Sequence, residues 1–309
     1  MKIAVVGPGA MGCLLSAFLT ESGQDVVLVD HQADRAEIIG RDGVRLEGVS
    51  GERRVRVPVT VDPGRAADAG LILVCVKAHQ TEDAVRPLAG RIGPEARVLT
   101  LQNGVGNVET LTRFFGPERT WGGITALGAT VLGPGRVRHA GMGDTLIGAA
   151  VAGSDGDRLA EAAEAFSLAG LPARIEADVE TLIWSKLIIN VGINPLTAIT
   201  RLRNGQLLDF PGTERIMEEA VGEAAALAAA LNITLVYPDA VARVKEVARA
   251  TAGNVASMLQ DVLARNRTEI DYINGAVAAR GRELGLDMTV NRTLTRLVKT
   301  IEASYGQGV

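Results

Sequence analysis

The feature that most constrains this fold lies at the start of the chain, where the apolar run Lys2-Ile3-Ala4-Val5-Val6 breaks directly into Gly7-Pro8-Gly9-Ala10-Met11-Gly12. The β-branched run reads as a short buried strand. The glycines permit a tight turn and an approach to the backbone that side chains would block. A helix-compatible stretch from Cys13 to Thr20 follows, and then a second strand, Asp25-Val26-Val27-Leu28-Val29, ends at Asp30. Strand, glycine turn, helix and strand with an acidic end form the opening of a doubly wound α/β domain. In such a domain the helix N-terminus offers N–H groups and partial positive charge to a pyrophosphate, and the acidic residue meets a ribose hydroxyl. The glycine spacing by itself is a weak signal, but with Asp30 about 20 residues further on it points strongly to a dinucleotide. Gly7, Gly9, Ala10, Met11, Gly12 and Asp30 are therefore the candidate cofactor residues.

With 309 residues the chain exceeds the usual size of one core, so two domains are expected. A net charge of −4 gives no reason to expect nucleic acid or an anionic membrane as a partner. No segment reads as a signal peptide, and no apolar run is expected to reach the roughly 20 residues that span a bilayer, so a cytoplasmic protein is the expectation. Cys13 and Cys75 lie in apolar settings and read as buried small hydrophobes. His31, His79 and His139 lack metal-ligand spacing, so no metal is expected.

The first half alternates strands and helices. Asp42-Gly43 marks a turn before a strand at Val44-Arg45-Leu46, and Arg54 to Val61 reads as one half-buried strand that Pro58 confines to an edge. Leu71 to Val76 and Val98 to Leu101 are continuous apolar runs, the mark of strands covered on both faces. Glycine-punctuated β segments run from Trp121 to Ala150 with a hairpin tip at Gly133-Pro134-Gly135. A helix is expected from Asp157 to Gly170, and Ala173 to Ile175 should close the sheet. Beyond Glu176 helical patterns take over. One helix spans Asp178 to Ile193, and an alanine-rich one runs from an N-cap at Thr213 to about Leu231. Another opens at Pro238-Asp239, and one restarts at Thr268 with Asp271 completing a capping-box pattern. The expectation is an α/β Rossmann-type domain over residues 1–175 and an all-α domain over 176–309, closely apposed around a cleft.

The second informative run is Lys186-Leu187-Ile188-Ile189-Asn190-Val191-Gly192-Ile193-Asn194. Its lysine and two asparagines recur every four residues and so form one stripe on a helix otherwise wrapped in core. Such a stripe either faces water or meets a polar partner, because buried amides and an ammonium are costly when unmatched. A small polar substrate is one such partner. Two further polar residues follow the ends of apolar strands, where ligands of open α/β sheets bind: Lys77, and Asn103 within Gln102-Asn103-Gly104-Val105-Gly106.

Together these stretches resemble the ketopantoate reductase (2-dehydropantoate 2-reductase) family along essentially the whole chain. The resemblance is carried by Gly7-x-Gly9-x-x-Gly12, Val76-Lys77-Ala78-x-Gln80 and Gln102-Asn103-Gly104. It continues with Trp184-x-Lys186-x-x-x-Asn190-x-x-x-Asn194-Pro195-Leu196-Thr197, Asn204-Gly205, Ser257 to Asp261 and Thr268 to Gly275. It implies hydride transfer from a reduced nicotinamide to the C2 ketone of ketopantoate, giving pantoate on the route to pantothenate and coenzyme A. Carried over position by position, Lys186 is the general acid and Glu269 the active-site carboxylate that orients the substrate hydroxyl or Lys186. Asn190, Asn194, Asn204 and Ser257 are implied as substrate contacts. Asn103 is implied near both substrate and nicotinamide, Lys77 near the cofactor, and Glu269 counts among the cofactor contacts as well.

The family implies NADP(H), whereas a carboxylate at Asp30 suits the ribose hydroxyl of NAD(H) and repels a 2′-phosphate. His31 and Gln32 follow it where an arginine is frequent, with Arg35 near enough to serve a phosphate. Val290 also stands where the family often has a proline before Asn291. Ser257 and Glu269 lie roughly 18 Å apart along one straight helix, too far to share one small substrate, so a bend is expected between Asp261 and Thr268. Pro195 should likewise end or kink the Lys186 helix, leaving Asn194 at its end. Other readings are a reductase of another branched 2-keto acid, a β-hydroxyacid dehydrogenase, and a non-catalytic dinucleotide sensor. The helix at Ala220–Leu231 is either domain core or the face of a homodimer.

Overall fold

The computed structural model describes residues 1–307, which group into two compact units. The first comprises Met1–Gln102 and Asn107–Val179, the second Asn103–Gly106 and Glu180 onward.

In the first unit the elements are β1 (Lys2–Val6), α1 (Ala10–Glu21), β2 (Asp25–Val29), α2 (Ala33–Asp42), β3 (Val44–Gly48), β4 (Arg53–Val55), β5 (Val59–Thr60) and β6 (Leu71–Val74). They continue with α3 (Thr81–Val85), β7 (Arg97–Thr100), α4 (Asn107–Phe115), β8 (Thr120–Thr125), β9 (Gly128–Gly133), β10 (Arg136–Gly141), β11 (Thr145–Ala149), α5 (Gly156–Leu168) and β12 (Ala173–Ile175). The main sheet has the order β12-β11-β8-β7-β6-β1-β2-β5. From β5 through β8 it is parallel, and the strand order reverses between β1 and β6, the arrangement of a Rossmann sheet. The turns after β1 and β6 thus come together at the switch point. The continuous apolar runs expected for covered strands are β6 and β7, buried on both faces.

The stretch expected as one edge strand from Arg54 to Val61 is two. β4 joins a separate four-stranded sheet, β4-β3-β10-β9, while β5 is the edge of the main sheet. Pro58 divides them: lacking an N–H, it contributes only its carbonyl, which accepts from Leu28 N. The small sheet packs on α1, where the ring of Phe18 meets His139 edge-on at 5.5 Å. Cys13 and Cys75 are free thiols that burial pushes up to about 12, so both behave as hydrophobes.

The second unit holds α6 (Val179–Thr200), α7 (Pro211–Ala230), α8 (Ala240–Ala250), α9 (Ser257–Leu263), α10 (Asn274–Glu283) and α11 (Thr289–Ala303). Four expectations are corrected here. The α6 helix does not end at Pro195 but runs through it to Thr200, so Asn194 lies in its interior. Pro195 supplies no N–H for the carbonyl of Val191 one turn back, and the side chain of Asn274 donates there instead, at 3.1 Å. Second, α6 is long and apolar enough to cross a membrane by length and composition, contrary to the expectation that no run would be; it is mostly buried in the core of its unit. Third, Thr213 does not cap α7, which begins at Pro211, because Pro is pre-set for the first helical position. Its hydroxyl turns back to the carbonyls of Leu207 and Phe210. Fourth, Thr268 opens no long helix. Its hydroxyl accepts from Ile270 N over one short turn, while Asp271 is held by Lys299 and Arg267 rather than closing a box.

The bend expected between Asp261 and Thr268 is present: α9 stops at Leu263, Arg265 takes a left-handed φ of 54°, and α10 starts only at Asn274. Ala220, Val221, Ala224, Leu227 and Ala228 on α7 are buried in the unit's own core.

Candidate active site

The dinucleotide end of the first unit is shaped by glycine. A Cβ on Gly7 would lie 2.6 Å from a methyl of Val76 and 2.8 Å from its backbone N, and Gly7 has φ +102°. A Cβ on Gly12 would lie 1.9 Å from the Gly7 carbonyl oxygen. These two glycines let the loop, α1 and the end of β6 pack backbone to backbone. Gly9 differs, because a Cβ there would meet nothing nearer than 3.8 Å. It stands at the N-cap of α1 with no side-chain cap, and Ala10 and Met11 follow with no acidic residue in the first turn. The N–H groups of that turn are left for an anion, which fits the pyrophosphate of a dinucleotide.

Asp30 ends β2 with its side chain fully covered. Its carboxylate accepts from Arg35 Nε at 2.6 Å, Arg35 Nη2 at 2.5 Å and Gln32 N at 3.1 Å. Burial works to raise its pKa, but the Arg35 and backbone hydrogen bonds outweigh it and hold the carboxyl below the usual range. Lys77, half-buried, stands at the N-cap of the short turn Ala78–Gln80 that follows β6. Gln102 fastens the ends of β6 and β7, donating to Val76 O at 2.6 Å and Thr81 Oγ1 at 2.8 Å.

The second unit carries the titratable cluster. Lys186, Asn190 and Asn194 lie on one continuous helix, as their spacing requires. Burial pushes the Lys186 ammonium down to about 8, and the charge of Glu269 partly opposes that fall. Glu269, 6% exposed, accepts from Asn103 Nδ2 at 3.4 Å. Asn103 reaches it because Val105 N donates to Tyr272 O at 3.0 Å and Gly104, at φ +84°, lies flat on Tyr272. A Cβ on Gly104 would come within 2.3 Å of the Tyr272 carbonyl oxygen.

One turn along α6, the Nδ2 of Asn190 is buried with no partner among the described residues. Asn194 is buried as well. Asn204 donates from Nδ2 to Thr251 Oγ1 at 2.9 Å, and its buried Oδ1 has no partner among the described residues. Ser257 is exposed at the first position of α9, where Ala256 is the cap. Sequence reasoning overlooked Tyr272 as the anchor of the Asn103 segment; the signal for it was Gly104, where only a glycine allows the approach to the Tyr272 carbonyl.

Comparisons with known proteins match both stretches of the chain. The model of the ketopantoate reductase PanE/ApbA family matches residues 3–152, and that of the PanE/ApbA C-terminal region matches 178–302. A 2-dehydropantoate 2-reductase of Halobacterium salinarum is 39% identical over 97% of this chain and 98% of its own length. Among solved structures, a PanE/ApbA family ketopantoate reductase from Ralstonia eutropha is 34% identical with a TM-score of 0.89, covering 98% of this chain and 99% of that one. A D-mandelate dehydrogenase with NADH and anilino(oxo)acetate is 29% identical with a TM-score of 0.92, at the same coverage. With a Rossmann unit of the kind that binds NAD(P)H and a helical unit carrying a half-buried lysine and a buried carboxylate, these matches place this chain in the ketopantoate reductase family of oxidoreductases.

Proposed function

We propose that this chain is a 2-dehydropantoate 2-reductase, converting ketopantoate to pantoate for pantothenate and coenzyme A synthesis. The observation that carries the reading is the Lys186–Glu269 pair with its lowered lysine pKa. The bound nicotinamide supplies the hydride. Lys186 donates a proton to the oxygen of the C2 ketone as negative charge develops there, and a pKa of about 8 keeps it protonated at neutral pH yet ready to give the proton up. Glu269 keeps that proton in place electrostatically and is itself oriented by Asn103. Asn190, with an unmatched buried N–H donor, and Asn194 bind the carboxylate or hydroxyl groups of the substrate. Asn204 and Ser257 contact the same substrate, and Lys77 contacts the cofactor.

Asp30 supports a lean toward NAD(H), because a carboxylate at the end of the second strand suits a ribose 2′-hydroxyl and repels a 2′-phosphate. The Arg35 pair tempers this by leaving less net negative charge. A second reading, reduction of another 2-keto acid, is supported by the likeness to the D-mandelate dehydrogenase structure. The test is a steady-state assay with ketopantoate, other branched or aryl 2-keto acids, and both cofactors. A kcat/KM for ketopantoate below that for every other acid would overturn the first reading. In the same assay kcat should fall as pH rises through about 8, since Lys186 acts in its protonated form.

A further inference from the structure

Pro195 sits inside an uninterrupted helix, and its consequence can be followed atom by atom. The carbonyl of Val191 has lost its i+4 donor, and the ring of Pro195 crowds it. Asn274, 0% exposed, donates one Nδ2 hydrogen to Val191 O at 3.1 Å and the other to Asn291 Oδ1 at 2.9 Å. Asn291, also 0% exposed, donates from its own Nδ2 to Ala220 O at 2.9 Å and to Glu223 Oε2 at 2.7 Å. Glu223 meanwhile accepts from Val290 N at 2.7 Å and Asn291 N at 2.9 Å, capping the N-terminus of α11.

The chain of bonds has only one consistent direction. Its two ends, a backbone carbonyl on α6 and a carboxylate on α7, are acceptors only. Each asparagine must therefore turn its NH2 toward the α6 end or the α7 end as drawn, and neither amide can flip without leaving two acceptors face to face. Four helices, α6, α7, α10 and α11, are fixed by two side-chain amides and one carboxylate. Val191 lies five residues past Lys186 and Asn274 five past Glu269, so this bond joins the helix of the lysine to the segment of the carboxylate.

We infer that Asn274, backed by Asn291 and Glu223, is a positioning residue for the reaction, setting α6 so that Lys186 stands in register with Glu269. The inference rests on the roles given to Lys186 and Glu269 above. It differs from ordinary core packing in one checkable way: the bond that matters is the one Pro195 makes necessary.

Asn274→Ala removes the donor of both Val191 O and Asn291 Oδ1 and so releases α6; it should lower kcat with ketopantoate about tenfold through misplacement of Lys186, and change the cofactor KM less than about twofold. The upper limb of its pH–kcat profile, near 8 in the parent, should move toward the ordinary lysine value as α6 loosens and water reaches Lys186. In a Pro195→Ala background the restored N–H of residue 195 serves Val191, so adding Asn274→Ala should cost no more than about threefold in kcat. An equal loss in both backgrounds, or a folded Asn274→Ala enzyme with parental kcat and pH profile, would overturn the proposal. If Asn274→Ala alone fails to fold, the double variant decides, with near-parental kcat supporting the relay and a tenfold loss refuting it. Lys186→Ala is run alongside: parental kcat there would remove the catalytic reading and the positioning role together, whereas a failure confined to the Asn274 series leaves the catalytic reading standing.

Discussion

Asp30 in the first unit and Glu269 in the second are almost equally hidden, at 4% and 6% exposed, yet their basic partners differ in kind. Asp30 is gripped in a bidentate pair by the planar guanidinium of Arg35. Glu269 faces Lys186, a base that burial has brought to about 8. The first pair is a fixed electrostatic fixture at the end of a strand. The second can change its proton content near neutrality, as an acid catalyst must. A similar contrast runs through the rest of each unit. The first shapes its candidate cofactor turn with backbone, through Gly7, Gly9 and Gly12 and the uncapped turn of α1. The second prepares its site with side chains drawn from residues far apart in the chain.

The sharpest way to break this contrast is Lys186→Ala, which should lower kcat by about 10²–10⁴ while cofactor affinity stays near the parental value. Equal losses in both would mean that Lys186 holds the fold rather than the proton. A stability effect follows from the same group. Its folded pKa of about 8 lies below the 10.5 of the unfolded chain, so the unfolded state binds more protons between those values. Stability therefore rises with pH through that window, and the cost of burying the charge is present in full below it. Lys186→Met should gain up to about 3 kcal/mol over the parent in urea unfolding at pH 7, with the gain shrinking toward pH 10.5. A difference independent of pH would show that the lysine is not the titrating group.

The backbone site is probed by Gly9→Asp. Space and φ both admit the side chain, and an aspartate there caps α1, so Tm should hold or rise. Cofactor binding should nonetheless weaken by about 2 kcal/mol, because the carboxylate takes the N–H groups and repels phosphate. Unchanged affinity by calorimetry would remove the α1 turn from the cofactor site. The smallest expected effect is that of Asp30→Asn, which frees Arg35 and removes the charge. The ratio of kcat/KM for NADPH over NADH should rise about tenfold, and a ratio that does not move would place Asp30 away from the ribose.

The same contrast governs what could be read in advance. The glycine turn, Asp30, the covered strands β6 and β7, and the Lys186–Asn190–Asn194 stripe were legible because each depends on residues within one or two turns of chain. The small second sheet was not. β3 and β4 look like any half-buried strands, and only the pairing of β3 with β10, about 90 residues later, separates them from the main sheet. Pro195 misled for a related reason. Local chemistry says that proline ends a helix, and that rule fails where another segment supplies the missing donor, as Asn274 does.

Sequence by itself determined the order of elements, the dinucleotide turn, the lysine–asparagine face and the family pattern, since these follow from backbone stereochemistry and periodicity over short stretches. Tertiary structure alone decided that α6 would pass through Pro195 and that Asn103 would be held to Glu269 by the carbonyl of Tyr272. Each of those is a match between a donor and an acceptor whose need arises at one point of the chain and is met at another. Only the folded backbone sets the distance between them.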